Sequence, residues 1–274
     1  MSLRTPTGWG PKLLIAAGLS FLTLVVLLPV LTVFVEAFSA GLAAYWGAIT
    51  QPPAVHALQL TLLITAIAVP LNTVFGLLIS WILARRSFRG QALVLALLDL
   101  PLSISPIVVG FMFILLFSPE MGLFADAVER SGVKIVFATP GLALTLLFVT
   151  VPFVAREVYP ALQEVPREEE EAARCLGASP WRTFWSVTLP HIRPALIYGV
   201  ILCTARAVGE FGAISVVSGK IINATNTLTL HVERTYLEYD GAAAFACASL
   251  LGSVALLSLL VQTLVRHQDR IREP

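Results

Sequence analysis

Charge is scarce in this chain of 274 residues, of which only 13% are Asp, Glu, Lys or Arg. A soluble domain carries about 25% charged residues. Here 57% of the residues are hydrophobic and the mean hydropathy is +0.84, so much of the chain is expected to lie in lipid. The net charge of +1 gives no general attraction to nucleic acid.

The chain also lacks the residue patterns of common catalytic and metal sites. Its three cysteines form no CxxC pair and its four histidines are scattered. No G-x-x-x-x-G-K-[ST] motif is present, so the chain has no P-loop to hold the phosphates of ATP. The sequence therefore predicts no enzymatic chemistry, no metal and no cofactor bound by this chain.

Six apolar runs are each long enough to cross a bilayer, which takes about 20 residues. They cover residues 13–38, 58–84, 92–117, 135–158, 192–217 and 242–265. If the N-terminus is cytoplasmic, 13 Lys and Arg residues lie on the cytoplasmic side and 4 on the other. Because cytoplasmic segments carry the excess of these residues, both termini are predicted in the cytoplasm. The first run is too long for a signal peptide and is expected to remain as an anchor.

Prolines interrupt most of these runs. They are Pro29, Pro70, Pro101, Pro106, Pro140 and Pro152. A proline removes a backbone donor and kinks a helix, and such kinks persist in membranes where neighbouring helices or a cavity satisfy the freed carbonyls. The pattern fits either irregular packing or a bundle that rearranges.

The longest predicted cytoplasmic loop, residues 159–191, is expected to contain two short helices. Pro166 suits a helix start, and the acidic residues 168–171 lie at the positive end of the helix dipole. Small apolar residues follow, and Gly177 is a plausible C′ residue that ends this first helix.

The second helix of the loop is expected to begin at once. Ser179 suits the N-cap and Pro180 the first helical position. Trp181, Phe184 and Trp185 recur at helical spacing and form one aromatic stripe. Aromatic side chains are common anchors at protein interfaces. The loop therefore either docks on another protein or lies among lipid headgroups.

The residues of this loop match a known pattern. They read Glu-Ala-Ala, three residues, glycine, nine residues, then Val-Thr-Leu-Pro. This resembles the EAA loop of ABC importer permeases, with Val187 where isoleucine is usual. The resemblance implies that the loop inserts into a groove of the ATP-binding subunit and transmits its closure to the spans. The coupling residues that it singles out are Glu171, Ala172, Ala173, Gly177, Leu189 and Pro190.

A wider resemblance extends from about Thr61 to the end of the sixth run. The segments that carry it are residues 83–86, 98–101, 105–110, 205–219 and 226–233. They are similar to permeases of the sulfate and molybdate group, and residues 215–219 and 226–233 resemble the W-type (CysW-like) subunit of sulfate/thiosulfate importers. The family usually has proline after Leu228, where this chain has Thr229.

The resemblance implies an all-α integral membrane protein with the six-helix fold of a type I ABC importer permease. The transmembrane domain would span residues 12–265, between cytoplasmic tails at 1–11 and 266–274. The implied partners are an ATPase dimer that uses ATP and Mg, a paralogous T-type permease and a periplasmic sulfate-binding protein. The implied location is the bacterial inner membrane. The alternative substrate is molybdate or tungstate.

Three charged residues in the apolar runs are candidates for function, because an ionisable residue in a span suggests a pathway or a pairing. Arg206 and Glu210 are four residues apart and share one helix face. They either form a structural ion pair or line the route of an anion, with Glu210 neutralising Arg206 when no anion is bound. Asp99 either lies near a kink or the cytoplasmic interface, or belongs to a gate, since a carboxylate would repel sulfate.

Two other classes of protein remain as alternatives. A secondary transporter driven by an ion gradient would show symmetric repeats with unwound half-helices, and no convincing repeat is found. A membrane enzyme such as a lipid transferase would cluster carboxylates or histidines at one interface, and the sequence has no such cluster.

Overall fold

The computed structural model describes residues 9–272, and the regular structure within them is helical throughout. The helices are α1 (Trp9–Leu22), α2 (Leu28–Ser39), α3 (Leu42–Thr50), α4 (Pro52–Arg85), α5 (Gln91–Ser103), α6 (Pro106–Phe117), α7 (Ala125–Ser131), α8 (Thr139–Glu164), α9 (Arg167–Cys175), α10 (Pro180–Thr183), α11 (Leu189–Val208), α12 (Gly212–Val217), α13 (Leu228–Leu237) and α14 (Gly241–Arg272). Turns of π-helix, Thr23–Leu27 and Phe184–Thr188, join α1 to α2 and α10 to α11. Helices suit an apolar chain because each satisfies its own backbone polar groups in lipid.

Five helical stretches are long and apolar enough to cross a membrane. They are Gly10–Ser39, Pro52–Arg85, Thr139–Glu164, Pro180–Val208 and Gly241–Leu264. The bent pair α5 and α6 makes a sixth if it is counted as one span. Each predicted apolar run overlaps one of these six, so the all-α, multi-span fold is confirmed.

The third predicted run, residues 92–117, is not one continuous helix. Helices α5 and α6 meet at a bend of 108°. Ile104 and Ser105 between them have extended backbones, with ψ of 139° and 132°. Ser105 precedes Pro106, whose ring disfavours the helical conformation of the residue before it. The third run is therefore a bent pair of helices, and the bend lies at Pro106, one of the prolines predicted to interrupt it.

The fifth predicted run, residues 192–217, is also broken. Helix α11 begins earlier, at Leu189, and ends at Val208, and the separate helix α12 begins at Gly212. The break at residues 209–211 contains Glu210, one of the charged residues singled out above.

Helices α4, α8 and α11 form the centre of the bundle. Gly76 of α4 faces α8 so closely that a Cβ there would lie 2.9 Å from the Val154 Cβ. Asn72 of α4 donates from Nδ2 to the Leu147 carbonyl, at 3.0 Å, and to the Thr150 hydroxyl, at 2.8 Å. Small residues and interhelical hydrogen bonds are what join helices in lipid, where no hydrophobic driving force exists between them. Helices α4 and α8 are therefore one tightly joined unit.

The first span has little cover within this chain. Its second half, α2, packs against α14, while the most apolar part of the span is not buried at all. Helix α1 begins at Trp9 and α14 continues to Arg272, so the described parts of the two predicted tails are helical. The rest of those tails, residues 1–8 and 273–274, lies outside the described residues.

Candidate functional site

The longest predicted loop folds as two arms, which we call the hairpin (residues 165–188). The first arm is α9, and the second is α10 with its π-helical turn. Gly177 between them has φ of +85°, a conformation that glycine adopts without steric cost. Its N–H donates to the Arg174 carbonyl at 2.9 Å, and the Ala178 N–H donates to the Ala173 carbonyl at 3.0 Å. This is a Schellman motif, and the prediction that Gly177 ends the first helix is confirmed.

The second arm begins as predicted. The backbone N–H of Arg182 donates to the Ser179 hydroxyl at 3.3 Å, so Ser179 is the N-cap. Pro180 is the first residue of α10, where its missing N–H costs no helical hydrogen bond.

Large apolar side chains of the hairpin remain exposed. Leu176 is 89% exposed, Trp181 70% and Trp185 51%. The ring centroids of the two tryptophans are 5.5 Å apart, and Phe184 stacks on Trp181 at 6.2 Å. The aromatic stripe is therefore confirmed. Grouped apolar side chains at a surface mark a site of contact with another molecule.

The predicted coupling residues divide into two groups. Glu171, Ala172 and Gly177 are exposed, and Ala173 is half-buried. Leu189 and Pro190 begin α11, where Leu189 packs against the central core. The predicted coupling residues thus extend from the exposed surface of the hairpin to the start of the membrane-spanning helix α11.

Sequence reasoning did not single out a buried ion pair that holds the hairpin to α4. Arg85, the last residue of α4, lies with Nη2 2.8 Å from Oε1 of Glu170, and each side chain is only 9% exposed. The Thr188 hydroxyl donates to the same carboxylate oxygen at 2.8 Å. In the sequence, the available signal of this burial was helical spacing, which places Glu170 on the same helix face as the half-buried Ala173.

Arg206 and Glu210 come together, although Glu210 lies beyond the end of α11. The Arg206 Nη2 is 3.0 Å from Oε2 of Glu210. The Glu210 side chain is fully buried, and its Oε1 accepts the backbone N–H of Ala213 in the first turn of α12 at 3.0 Å. Its backbone carbonyl accepts the Thr229 hydroxyl at 2.9 Å. The Arg206 side chain remains 37% exposed, whereas that of Glu210 is enclosed.

Asp99 has a partner that the sequence analysis did not identify. Its Oδ1 lies 3.2 Å from Nε of Arg156. This contact joins α5 to α8 close to the bend that follows α5. The two side chains are 48% and 58% exposed. Exposed pairs of this kind stabilise a fold by about 0–1 kcal/mol, so this contact can open at small cost.

Among the residues that the structure describes, no three His, Cys, Asp or Glu side chains are grouped as a metal ion would require. The charged residues singled out above lie in pairs rather than in one cluster.

Comparison with known proteins gives a consistent picture. Residues 72–272 match the family model described as binding-protein-dependent transport system inner membrane component. The chain is 49% identical to the chloroplastic sulfate permease 2 of Chlamydomonas reinhardtii over 94% of this chain and 70% of that protein. It is 48% identical to the sulfate transport system permease protein CysW of Synechocystis over 93% of this chain and 92% of that protein.

One solved structure extends the likeness to three dimensions. The crystal structure of a bacterial alginate ABC transporter in complex with a pentasaccharide-bound periplasmic protein superposes with a TM-score of 0.76. The match covers 97% of this chain and 96% of that one, at 16% sequence identity. At this identity the likeness concerns the fold alone.

Proposed function

This chain belongs to the family of binding-protein-dependent transport system inner membrane components, and we propose that it is the permease subunit of an ATP-driven importer of sulfate or thiosulfate. The observation that carries the transport role is the hairpin, which exposes large apolar side chains and joins directly to the spans. The choice of sulfate rests on the similarity to two sulfate permeases over more than 90% of this chain. Molybdate or tungstate is the alternative.

The hairpin is the docking surface for an ATPase dimer. Its exposed Trp181, Trp185 and Leu176 would be buried by that contact, and a well-packed aromatic side chain is a typical interface anchor. ATP and Mg are bound and used by the ATPase, since this chain has no P-loop. Closure of the ATPase dimer would move the hairpins of two permeases together.

The other partners follow from the same assignment. The exposed first span offers a long apolar surface to lipid and to a second, paralogous permease of the T type. A periplasmic sulfate-binding protein delivers the anion at the outer face, as the related fold in complex with a periplasmic protein suggests. The excess of Lys and Arg in alternate connections supports a cytoplasmic location of both termini in an inner-membrane protein.

Arg206 is the proposed contact for the anion on its route. Its side chain is partly exposed, and its carboxylate partner Glu210 is buried. Arginine recognises planar and tetrahedral oxyanions through several donors at once. Glu210 would neutralise Arg206 when no anion is present, and an arriving sulfate would compete for its donors.

Uptake of labelled anions tests the function as a whole. A strain that lacks this chain is expected to lose uptake of labelled sulfate and to keep uptake of labelled molybdate, and the restored gene is expected to return sulfate uptake. Loss of molybdate uptake with unchanged sulfate uptake would overturn the substrate assignment. If the tagged chain co-purifies with no ATPase subunit, an ion-driven secondary transporter becomes the better explanation.

Asp99 and Arg156 are the proposed gate, because their pair joins two helices beside the bend. Asp99→Asn is expected to raise the leak of labelled sulfate from ATP-free vesicles by at most about five-fold. This limit corresponds to about 1 kcal/mol, the upper value for the stabilisation that an exposed ion pair gives. Asp126→Asn, an exposed acidic residue on α7, is the matched control and should leave the leak unchanged. An unaltered leak in Asp99→Asn would argue for a purely structural pair.

A further inference from the structure

The buried pair of Arg85 and Glu170 lies where the hairpin meets the membrane-spanning bundle. We propose that Arg85 and Glu170 are a positioning pair that transmits movement of the hairpin to α4. This inference rests on the proposed function, because it assigns the route by which ATPase closure reaches the spans.

Arg85 holds the hairpin at more than one point. Besides its ion pair with Glu170, its Nη1 and Nη2 lie 3.4 and 3.5 Å from the Val165 carbonyl, where the hairpin begins. Glu170 also accepts the Thr188 hydroxyl, at the end of the hairpin. The side chains of the pair thus link the end of α4, the start of the hairpin, its first arm and its last residue.

Few other contacts hold α9 to α4. Helix α9 packs mainly on α10 and the π-helical turn. Between α4 and the second arm lies an open apolar groove of about 680 Å³, with Leu77 and Trp81 on the α4 side and Phe184 on the other. Arg167 adds one hydrogen bond at the edge, from its Nη2 to the Ala84 carbonyl at 3.2 Å. Between α9 and α4, the buried pair is therefore the main side-chain link.

A pair of this kind makes a firm link. Charge-assisted hydrogen bonds are shorter and stronger than neutral ones, and removing one partner leaves an uncompensated buried charge. The hairpin and the end of α4 are therefore expected to move together.

Movement of α4 would then spread to its neighbour. Helix α4 is joined to α8 by Asn72, by the close approach at Gly76, and by the Ser80 hydroxyl, which donates to the Ala155 carbonyl at 3.1 Å. The chain breaks at residues 104–105 and 209–211 lie outside this unit and leave α6 and α12 able to reorient. In this scheme the pair moves α4 and α8 together.

The test uses the complete transporter, purified with its ATPase and reconstituted in vesicles with its binding protein and labelled sulfate. Arg85→Met and Glu170→Gln are each expected to leave ATP hydrolysis within about two-fold of the wild type. They are expected to lower the number of sulfate ions delivered per ATP hydrolysed by about five-fold or more. A change of this size is typical of the coupling between two sites. The controls Arg86→Met and Glu164→Gln change exposed residues of the same chemistry that lie outside the hairpin, and they should behave as the wild type.

A merely structural role gives a different result. It lowers the amount of assembled transporter but leaves sulfate delivered per ATP unchanged, and that outcome in both variants overturns the proposal. If the single variants do not assemble, the double variant Arg85→Met/Glu170→Leu removes both charges, a change that buried ion pairs often tolerate. A wild-type ratio in that double variant also overturns the proposal. Failure of the wild-type transporter to move sulfate would instead refute the proposed function.

Discussion

Gly177→Asp is expected to lower sulfate uptake by at least about ten-fold, which corresponds to a loss of about 1.4 kcal/mol. Gly177 lies between the two arms of the hairpin with φ of +85°, and a Cβ added there meets no atom of this chain within 4 Å. Aspartate is among the residues that tolerate this backbone conformation, so the hairpin should still fold. The added carboxylate would instead lie on the surface that contacts the ATPase.

The matched control is Gly132→Asp. Gly132 also has a positive φ, of +65°, with open space around its Cβ position, but it ends α7 far along the chain from the hairpin. Both variants carry similar backbone strain, so a general loss of stability would lower uptake in both. We expect Gly132→Asp to keep uptake within about two-fold, because aspartate tolerates this backbone conformation and α7 lies outside the hairpin. Normal uptake and normal ATPase co-purification in Gly177→Asp would contradict docking through this hairpin.

The hairpin could be predicted from the sequence because its signals are local. A glycine that ends one helix, a serine that caps the next and a proline in its first position each act within a few residues. Gly177, Ser179 and Pro180 all occupy the predicted positions. The apolar runs were found for a similar reason, since lipid selects for length and composition over about 20 residues.

The bends in the spans could not be predicted from the positions of the apolar runs. Residues on both sides of Ile104 are mostly apolar, so hydropathy gives one run where the backbone turns by 108°. Pro106 was recognised as a breaker, but its sequence position does not give the angle. The break at residues 209–211 contains no proline. It is stabilised by two hydrogen bonds of Glu210, whose side chain accepts the Ala213 N–H and whose backbone carbonyl accepts the distant Thr229 hydroxyl.

Composition alone could not identify Glu170 as the buried glutamate, for a related reason. It is one of four consecutive glutamates, and composition treats the four alike. Only Glu170 points to the buried Arg85, whereas Glu169 pairs with His191 at 2.8 Å in a half-exposed position. Which of them is buried depends on how the hairpin is oriented against α4, an arrangement between residues 85 positions apart.

Arg206→Gln is expected to lower sulfate uptake by about ten-fold or more, because it removes the cation that would meet the anion. The single variant also leaves the Glu210 carboxylate buried without its partner, and an unpaired buried charge destabilises a protein by about 3–5 kcal/mol. Uptake alone therefore cannot separate a role in the pathway from a role in the fold.

The double variant Arg206→Gln/Glu210→Gln separates the two roles. It removes both charges, while the new amide oxygen at position 210 can still accept the Ala213 N–H, so the amount of assembled transporter should recover. If Arg206 contacts the anion, uptake stays low in this variant although the transporter is present. Recovery of uptake together with assembly would reduce the pair to a structural contact. Arg206→Lys keeps the charge but loses the forked donors, so we expect normal assembly with a raised KM for sulfate.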